Sequence, residues 1–311
     1  MHRDPDSSDF EYDEFGFFDE NRSEYALAGA GMPPVRRVSY RASCGDVSAL
    51  RWGDGPLDAV LIHGTAQNAH TWDTVMLALG EEVSALVVDL PGHGHSSWRD
   101  DARYDPHSNA DALSEVLAEL ADAGDLSAPV VLVGMSLGGL TANRLAAQRA
   151  DDVGRLVVVD ITPGVTAHKA KEIHDFIAGP QTFADFAQIM DRTVEFNPTR
   201  TRSSLRRGIL HNAHRLPDGS WEWNYHRATP AGDGFASRDE LWQDVARTVA
   251  PYLVVRGADS PVTDDADVAE LLRHREDARI VTVEGAGHSI QGDRPVELAG
   301  LLADELAAAA P

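Results

Sequence analysis

Six apolar runs divide this chain: DAVLIHG from Asp58, SALVVDLPG from Ser84, APVVLVGMS from Ala128, VGRLVVVDIT from Val153, PYLVVRGADS from Pro251 and ARIVTVEGAG from Ala278. Their centres are continuously apolar instead of alternating, the pattern of strands covered on both faces. Most of the gaps carry helical periodicity, at 69–79, 108–123, 137–150, 264–273 and 295–309. Strand and helix in alternation specify an α/β layered sheet, mostly parallel, with right-handed crossovers. Two earlier runs, VRRVSYRA (35–42) and VSALRW (47–52), read as a hairpin.

One gap breaks the rhythm. The stretch 161–250 is far longer than an ordinary connection and holds KAKEIHDFIAGP, FADFAQIMDRTV, TRSSLRRGILHNAHRL and the aromatic WEWNYHR. It is expected to form a helical cap of three or four short helices with an irregular crossing, inserted over the strand ends where ligands bind in open sheets. The core is then 35–160 plus 251–311. Residues 1–34 are acidic and rich in Phe and Tyr, fit no helix or strand period, and are expected to be a partly mobile tail that can wrap onto the domain or a partner.

The formal charge of −23, from 27 basic and 50 acidic residues, repels nucleic-acid phosphates and anionic lipid headgroups, so neither is an expected partner. Cys44 is the single cysteine, which excludes an intrachain disulfide and any cysteine-based zinc site. The first residues lack the basic start and apolar run of a secretory signal, and no apolar stretch approaches the roughly 18 residues of a membrane span. A cytoplasmic location is expected.

The run VVLVGMSLGGL followed by TANRLAAQRA places G-x-S-x-G, Gly134 to Gly138, between a strand and a helix. Alone the three fixed letters are weak, but this setting is the one a strained, exposed nucleophilic serine needs. Ser136 is the expected nucleophile, and the backbone amide of Leu137 an expected oxyanion donor. The second donor is the amide of Thr65, after the His63-Gly64 turn that ends an earlier strand. A serine hydroxyl needs a hydrogen-bonded base, and His288, in a glycine-rich loop after the last strand, follows the nucleophile in the chain. Asp259 is the preferred acid to orient that imidazole, since it gives the order Ser, Asp, His; Asp160, on the strand after the serine, is the alternative.

Together GMSLGG, HGT, DLPGHGHS, RGADSPV and GAGHS are similar to the motifs of the α/β-hydrolase fold family, over about residues 35–309. The resemblance implies an eight-stranded, mostly parallel sheet, a helical cap after the sixth strand and no cofactor. It matches Ser136, Asp259 and His288 to nucleophile, acid and base, Thr65 and Leu137 to the oxyanion amides, and Asp89 to Ser96 to a structural turn. Serine, not aspartate, at the turn points to acyl transfer to water, on a small apolar ester, thioester or lactone. A carbon–carbon hydrolase of a diketone-like substrate and a ligand sensor that does not turn over are the alternatives. Met135, Trp221, Trp223 and Tyr225 are candidates to line the substrate pocket. The pairs His211/His214 and His93/His95 lack a third ligand at metalloprotease spacing, so no metal is expected. Nothing in the sequence sets an oligomeric state.

Overall fold

The computed structural model describes residues 5, 11–27, 31–227 and 236–309. Phe10 and most residues before it lie outside that set. The two early runs form β1 (Val35–Ala42) and β2 (Gly45–Trp52), antiparallel from Val35 opposite Trp52 to Ala42 opposite Gly45. The six apolar runs supply β3 (Leu57–Ile62), β4 (Ala85–Val88), β5 (Leu126–Met135), β6 (Val153–Val159) and, beyond the insertion, β10 (Tyr252–Gly257) and β11 (Arg279–Val283). Between β6 and β10 the insertion contributes the short strands β7 (Thr182–Phe183), β8 (Ala213–Arg215) and β9 (Trp221–Trp223). The main sheet runs β1-β2-β4-β3-β5-β6-β10-β11, parallel from β4 onward.

The helices are α1 (Phe18–Glu24), α2 (Asp73–Leu79), α3 (Pro106–Asp122), α4 (Leu137–Gln148), α5 (Lys171–Ile177), α6 (Phe186–Phe196), α7 (Arg202–Asn212), α8 (Arg238–Arg247), α9 (Asp265–His274), α10 (Ile290–Asp293) and α11 (Pro295–Ala309). Successive strand residues divide between two apolar layers, as period-2 geometry requires. Val60, Ile62, Leu132, Val158 and Val254 meet α3, α4 and α8 on one face, while Leu61, Val131, Val133, Val157 and Val255 meet α2 and α11 on the other. Continuous apolar runs follow from this, because neither face of a central strand sees water. No described helix is long and apolar enough to cross a membrane.

Two sequence expectations need correction. WEWNYHR is not an irregular crossing: Trp221–Trp223 is the central strand of a three-stranded sheet, β7-β9-β8, with both indoles turned into the insertion's own core. The stretch 161–250 is not one unit either. Helix α8 packs on the main domain, where Asp244 accepts from His107 at 2.7 Å and Arg144 at 3.1 Å and Trp242 joins the sheet's apolar layer.

The described part of the N-terminal segment wraps onto the domain. Phe18 lies tilted against Trp52 in the main core, ring centroids 5.2 Å apart, and its neighbour Phe17 enters the insertion's core. Glu14 pairs with Arg37 at 2.5 Å and Glu24 with Arg207 at 2.5 Å. Helix α1 therefore wedges the two cores together, and two of the segment's acids form ion pairs with the rest of the fold. Phe18→Ala should lower the unfolding free energy by about 3 kcal/mol, the low end for buried aromatics; a denaturation midpoint equal to wild type would show that the wedge carries no stability.

Candidate active site

Strand β5 enters α4 through a turn so tight that side chains at its flanks have no room. A Cβ on Gly134 would lie 2.2 Å from the Gly138 carbonyl oxygen, and one on Gly138 would lie 2.5 Å from that of His63. Between them Ser136 is held at φ 53°, ψ −120°, a conformation that costs a non-glycine residue about 1–3 kcal/mol and persists only where its surroundings enforce it. One enforcing contact is the hydrogen bond from the Ser136 amide to the Val159 carbonyl, 3.1 Å, which ties the end of β5 to the end of β6.

The next residue on β6, Asp160, is also left-handed, at φ 51°, and fully buried. Its carboxylate accepts the Gly257 amide (3.0 Å), the Ser260 hydroxyl and His288 Nδ1 (2.7 Å). The carboxylate bonded to His288 is thus that of Asp160, the alternative of the sequence reading, and not that of the preferred Asp259. Asp259 is exposed at the cavity edge, and its amide is held by the Ala286 carbonyl. The reason lies in strand order: the loop after β11 crosses the end of β10 to reach β6, and it does so over Gly257, where any Cβ would meet the Gly287 carbonyl at 2.3 Å. Chain order favours Asp259, but the crossing carries His288 past it.

The loop after β3 brings Thr65 into the same cavity as Ser136 and His288. Its neighbours' amides are committed, Gly64 to Gln67 Oε1 (3.1 Å) and Ala66 to His93 Nε2 (3.2 Å). The Thr65 amide and that of Leu137, at the first turn of α4 where no intrahelical acceptor exists, are not engaged by other described residues. Two buried histidines that sequence reasoning left without a role fix this loop. His63 Nε2 accepts the Leu90 amide at 2.9 Å, so its Nδ1 carries the proton donated to the Gly64 carbonyl. His93 Nε2 accepts from Ala66, and its Nδ1 donates to the Pro91 carbonyl at 3.1 Å. Asn212 of α7 donates to the Ala66 carbonyl at 2.7 Å, which joins the insertion to the loop.

Asp89 to Ser96 has the structural part expected of it. Asp89 is buried, pairs with Arg37 at 2.8 Å, and accepts the amides of Ala69 and His95.

The cavity holds about 450 Å³. Of the four candidate pocket residues, Met135 and Trp223 line it. Trp221 does not, being packed 5.1 Å from Phe186, and Tyr225 is buried between His93 and Trp223. Ile173 and Phe176 add apolar wall, Lys169 and Arg200 add charge, and Asn21 and Tyr25 of the N-terminal segment complete it. Among the isolated pairs considered for a metal, His214 is exposed beside Glu222 and Asn224.

Burial pushes His63 below its ordinary pKa, and burial with the neighbouring His63 pushes His93 down to about 3. Both are neutral in the fold. Unfolded, they take up protons below about pH 6.5, so the unfolded chain binds more protons and stability is lost as pH falls from there toward 3. Unfolding free energies between pH 7 and 4 should fall with this slope, and His93→Gln should flatten it; an unchanged slope in the variant would remove His93 as a cause.

The alpha/beta hydrolase family model matches residues 59–301. The esterase Rv0045c of Mycobacterium tuberculosis is 45% identical over 290 residues, 91% of this chain and 92% of its own length. Lipase LipV of the same organism is 26% identical over 84% of this chain and 98% of its own. A solved structure of Rv0045c, from work on its inhibition by transition metals, superposes with a TM-score of 0.83 at 41% identity, covering 96% of this chain and 100% of that one. With a sheet, a serine turn and relatives in agreement over nearly the whole length, the chain belongs to the alpha/beta hydrolase family and is a hydrolase.

Proposed function

We propose that the protein is a serine esterase that hydrolyses a small carboxylic ester, thioester or lactone through an acyl-enzyme on Ser136. The observation that carries this reading is the sharing of one cavity by a strained serine and His288, whose far nitrogen is held by buried Asp160 at 2.7 Å. In the proposed cycle, His288 takes the Ser136 proton as Oγ attacks the carbonyl carbon, and the negative charge on the carbonyl oxygen is met by the Thr65 and Leu137 amides. His288 then gives its proton to the leaving alcohol, and a water molecule, deprotonated by the same imidazole, releases the acid. Asp160 stabilises the imidazolium. The insertion acts as a cap, with Trp223 and Phe176 excluding water from the acyl group. The esterase and lipase names of the relatives support ester cleavage.

With a p-nitrophenyl ester of a short acid, Ser136→Ala should lower kcat about 10⁶-fold. Turnover near wild type would defeat the nucleophile assignment, and rapid fluorophosphonate labelling of wild-type Ser136 without turnover of any acyl substrate would favour a sensor. Asp160→Asn should cost about 10⁴-fold in kcat by leaving the imidazole in the wrong tautomer, whereas Asp259→Asn should stay within a few-fold of wild type. The reverse ranking would return the role to Asp259.

A further inference from the structure

Among the cations that line the cavity, one lacks a counter-ion. His70, Lys169, Arg200 and Arg207 all contribute to the wall. His70 is paired with Asp73 at 2.9 Å, Lys169 with Asp264 at 2.8 Å and Asp267 at 2.5 Å, and Arg207 with Glu24 at 2.5 Å. Arg200 makes no ion pair among the described residues. A guanidinium carries five N–H donors and keeps its charge at any ordinary pH, yet the one hydrogen bond from Arg200 runs from Nη2 to the Ser204 hydroxyl, 2.7 Å. Nε is buried with no acceptor, and Nη1, equally without one, is not sealed by protein. Burial pulls the Arg200 pKa below its ordinary value; Asp293, Tyr25 and Glu24 oppose that pull and Arg207 adds to it. Donors in such a place are ordinarily satisfied, so this one marks a position for an acceptor that the protein does not supply.

The fold makes room for this cation beside the catalytic loop. Arg200 precedes α7 in the insertion, and its guanidinium lies against Gly292 of α10 in the main domain. A Cβ on Gly292 would come within 2.8 Å of Cζ and 2.9 Å of Nη1, so glycine leaves the space that the guanidinium fills. The Gly292 amide donates to the carbonyl of Ser289, the residue after His288, at 2.8 Å. One helical turn, a rise of about 5 Å, therefore separates the cation's seat from the loop that carries the base. The other carboxylates of the wall do not neutralise it: Asp293 accepts the Gly287 amide at 2.9 Å, and Glu172 and Asp259 are exposed.

We propose that Arg200 receives a carboxylate carried by the substrate itself, so that the ester cleaved at Ser136 is an anion, either a monoester of a short dicarboxylic acid or an acyl ester of a short hydroxy acid. The proposal rests on the esterase reading and adds to it the charge of the substrate. Nη1 is the donor that the carboxylate meets. Guanidinium and carboxylate form short hydrogen bonds about twice as strong as neutral ones. Binding at a remote charged group holds the ester in place for attack, and its effect is read in kcat/KM. Ile173 and Phe176 supply apolar wall for the methylenes between the two ends.

Two matched pairs of esters test this with the full-length protein: monomethyl glutarate against methyl pentanoate, and γ-acetoxybutyrate against butyl acetate. In each pair a carboxylate stands where the neutral ester has a methyl group. In one pair the anion should be favoured in kcat/KM by at least about tenfold, the scale of one charge-assisted hydrogen bond, and that pair shows which side of the ester bears the charge. Arg200→Gln should lower this ratio at least about tenfold, and Arg200→Lys should lower it less. Gly292→Ala, which displaces the guanidinium and keeps its charge, should lower it as well. A general loss of activity cancels in the ratio. No preference for the anion in either pair overturns the proposal and leaves the esterase reading standing, as does a preference unchanged in Arg200→Gln. If none of the four esters is hydrolysed, the esterase reading is what fails, and calorimetric binding of glutarate decides the site: weakening by at least about tenfold in Arg200→Gln supports it, and equal or absent binding overturns it. Should Arg200→Gln fail to fold, Arg200→Lys and Gly292→Ala decide.

Discussion

The hydrogen bond from the Ser136 amide to the Val159 carbonyl joins the ends of two neighbouring strands at the point where both leave the sheet. Everything at the site depends on that junction. It holds Ser136 in a left-handed conformation at the head of α4 and sets Asp160, one residue further along β6, in a second left-handed conformation beneath His288. Two strained residues in contact through one backbone bond need a rigid base. The sheet supplies it, since β5 and β6 are central strands with an apolar layer on each face.

Much of this was legible in the residues. Continuous apolar runs mark strands covered on both sides, the gaps show helical periodicity, and the strand-turn-helix setting of Gly134 to Gly138 singles out Ser136. His288 is singled out because glycines bracket a strand-end loop, and the structure puts it in the same cavity as Ser136. Which carboxylate meets His288 is not legible, because chain order says nothing of which strand end a loop crosses; a glycine on β10 lets the loop pass over and reach Asp160 at the end of β6. His63 and His93 were invisible as loop anchors, since their partners are main-chain atoms of residues such as Leu90, Pro91 and Ala66. His70 and His211 meet only in space, across 141 positions that differ in no local pattern from ordinary helix and turn.

Charge was the most misleading signal. A balance of −23 argues against nucleic-acid and anionic-lipid partners and gives no sign of internal pairing. Yet Glu14 ties the N-terminal segment to Arg37 of the main domain and Glu24 ties it to Arg207 of the insertion, and Glu305 holds both Arg155 and Arg279 at 2.6 Å. Partly buried ion pairs of this kind fix which surfaces meet, more than they add stability.

The N-terminal wedge also sets a problem of timing. Tyr12 meets His211 and Glu24 meets Arg207, partners 199 and 183 positions away. At about 5–20 residues per second of synthesis, roughly ten to forty seconds pass before those partners exist. Throughout that interval Phe17 has no insertion core to enter. The acidic residues set around it, Asp13, Glu14, Asp19 and Glu20, are placed as gatekeepers against association of the waiting chain, and two of the segment's acids then become the ion pairs that fasten it.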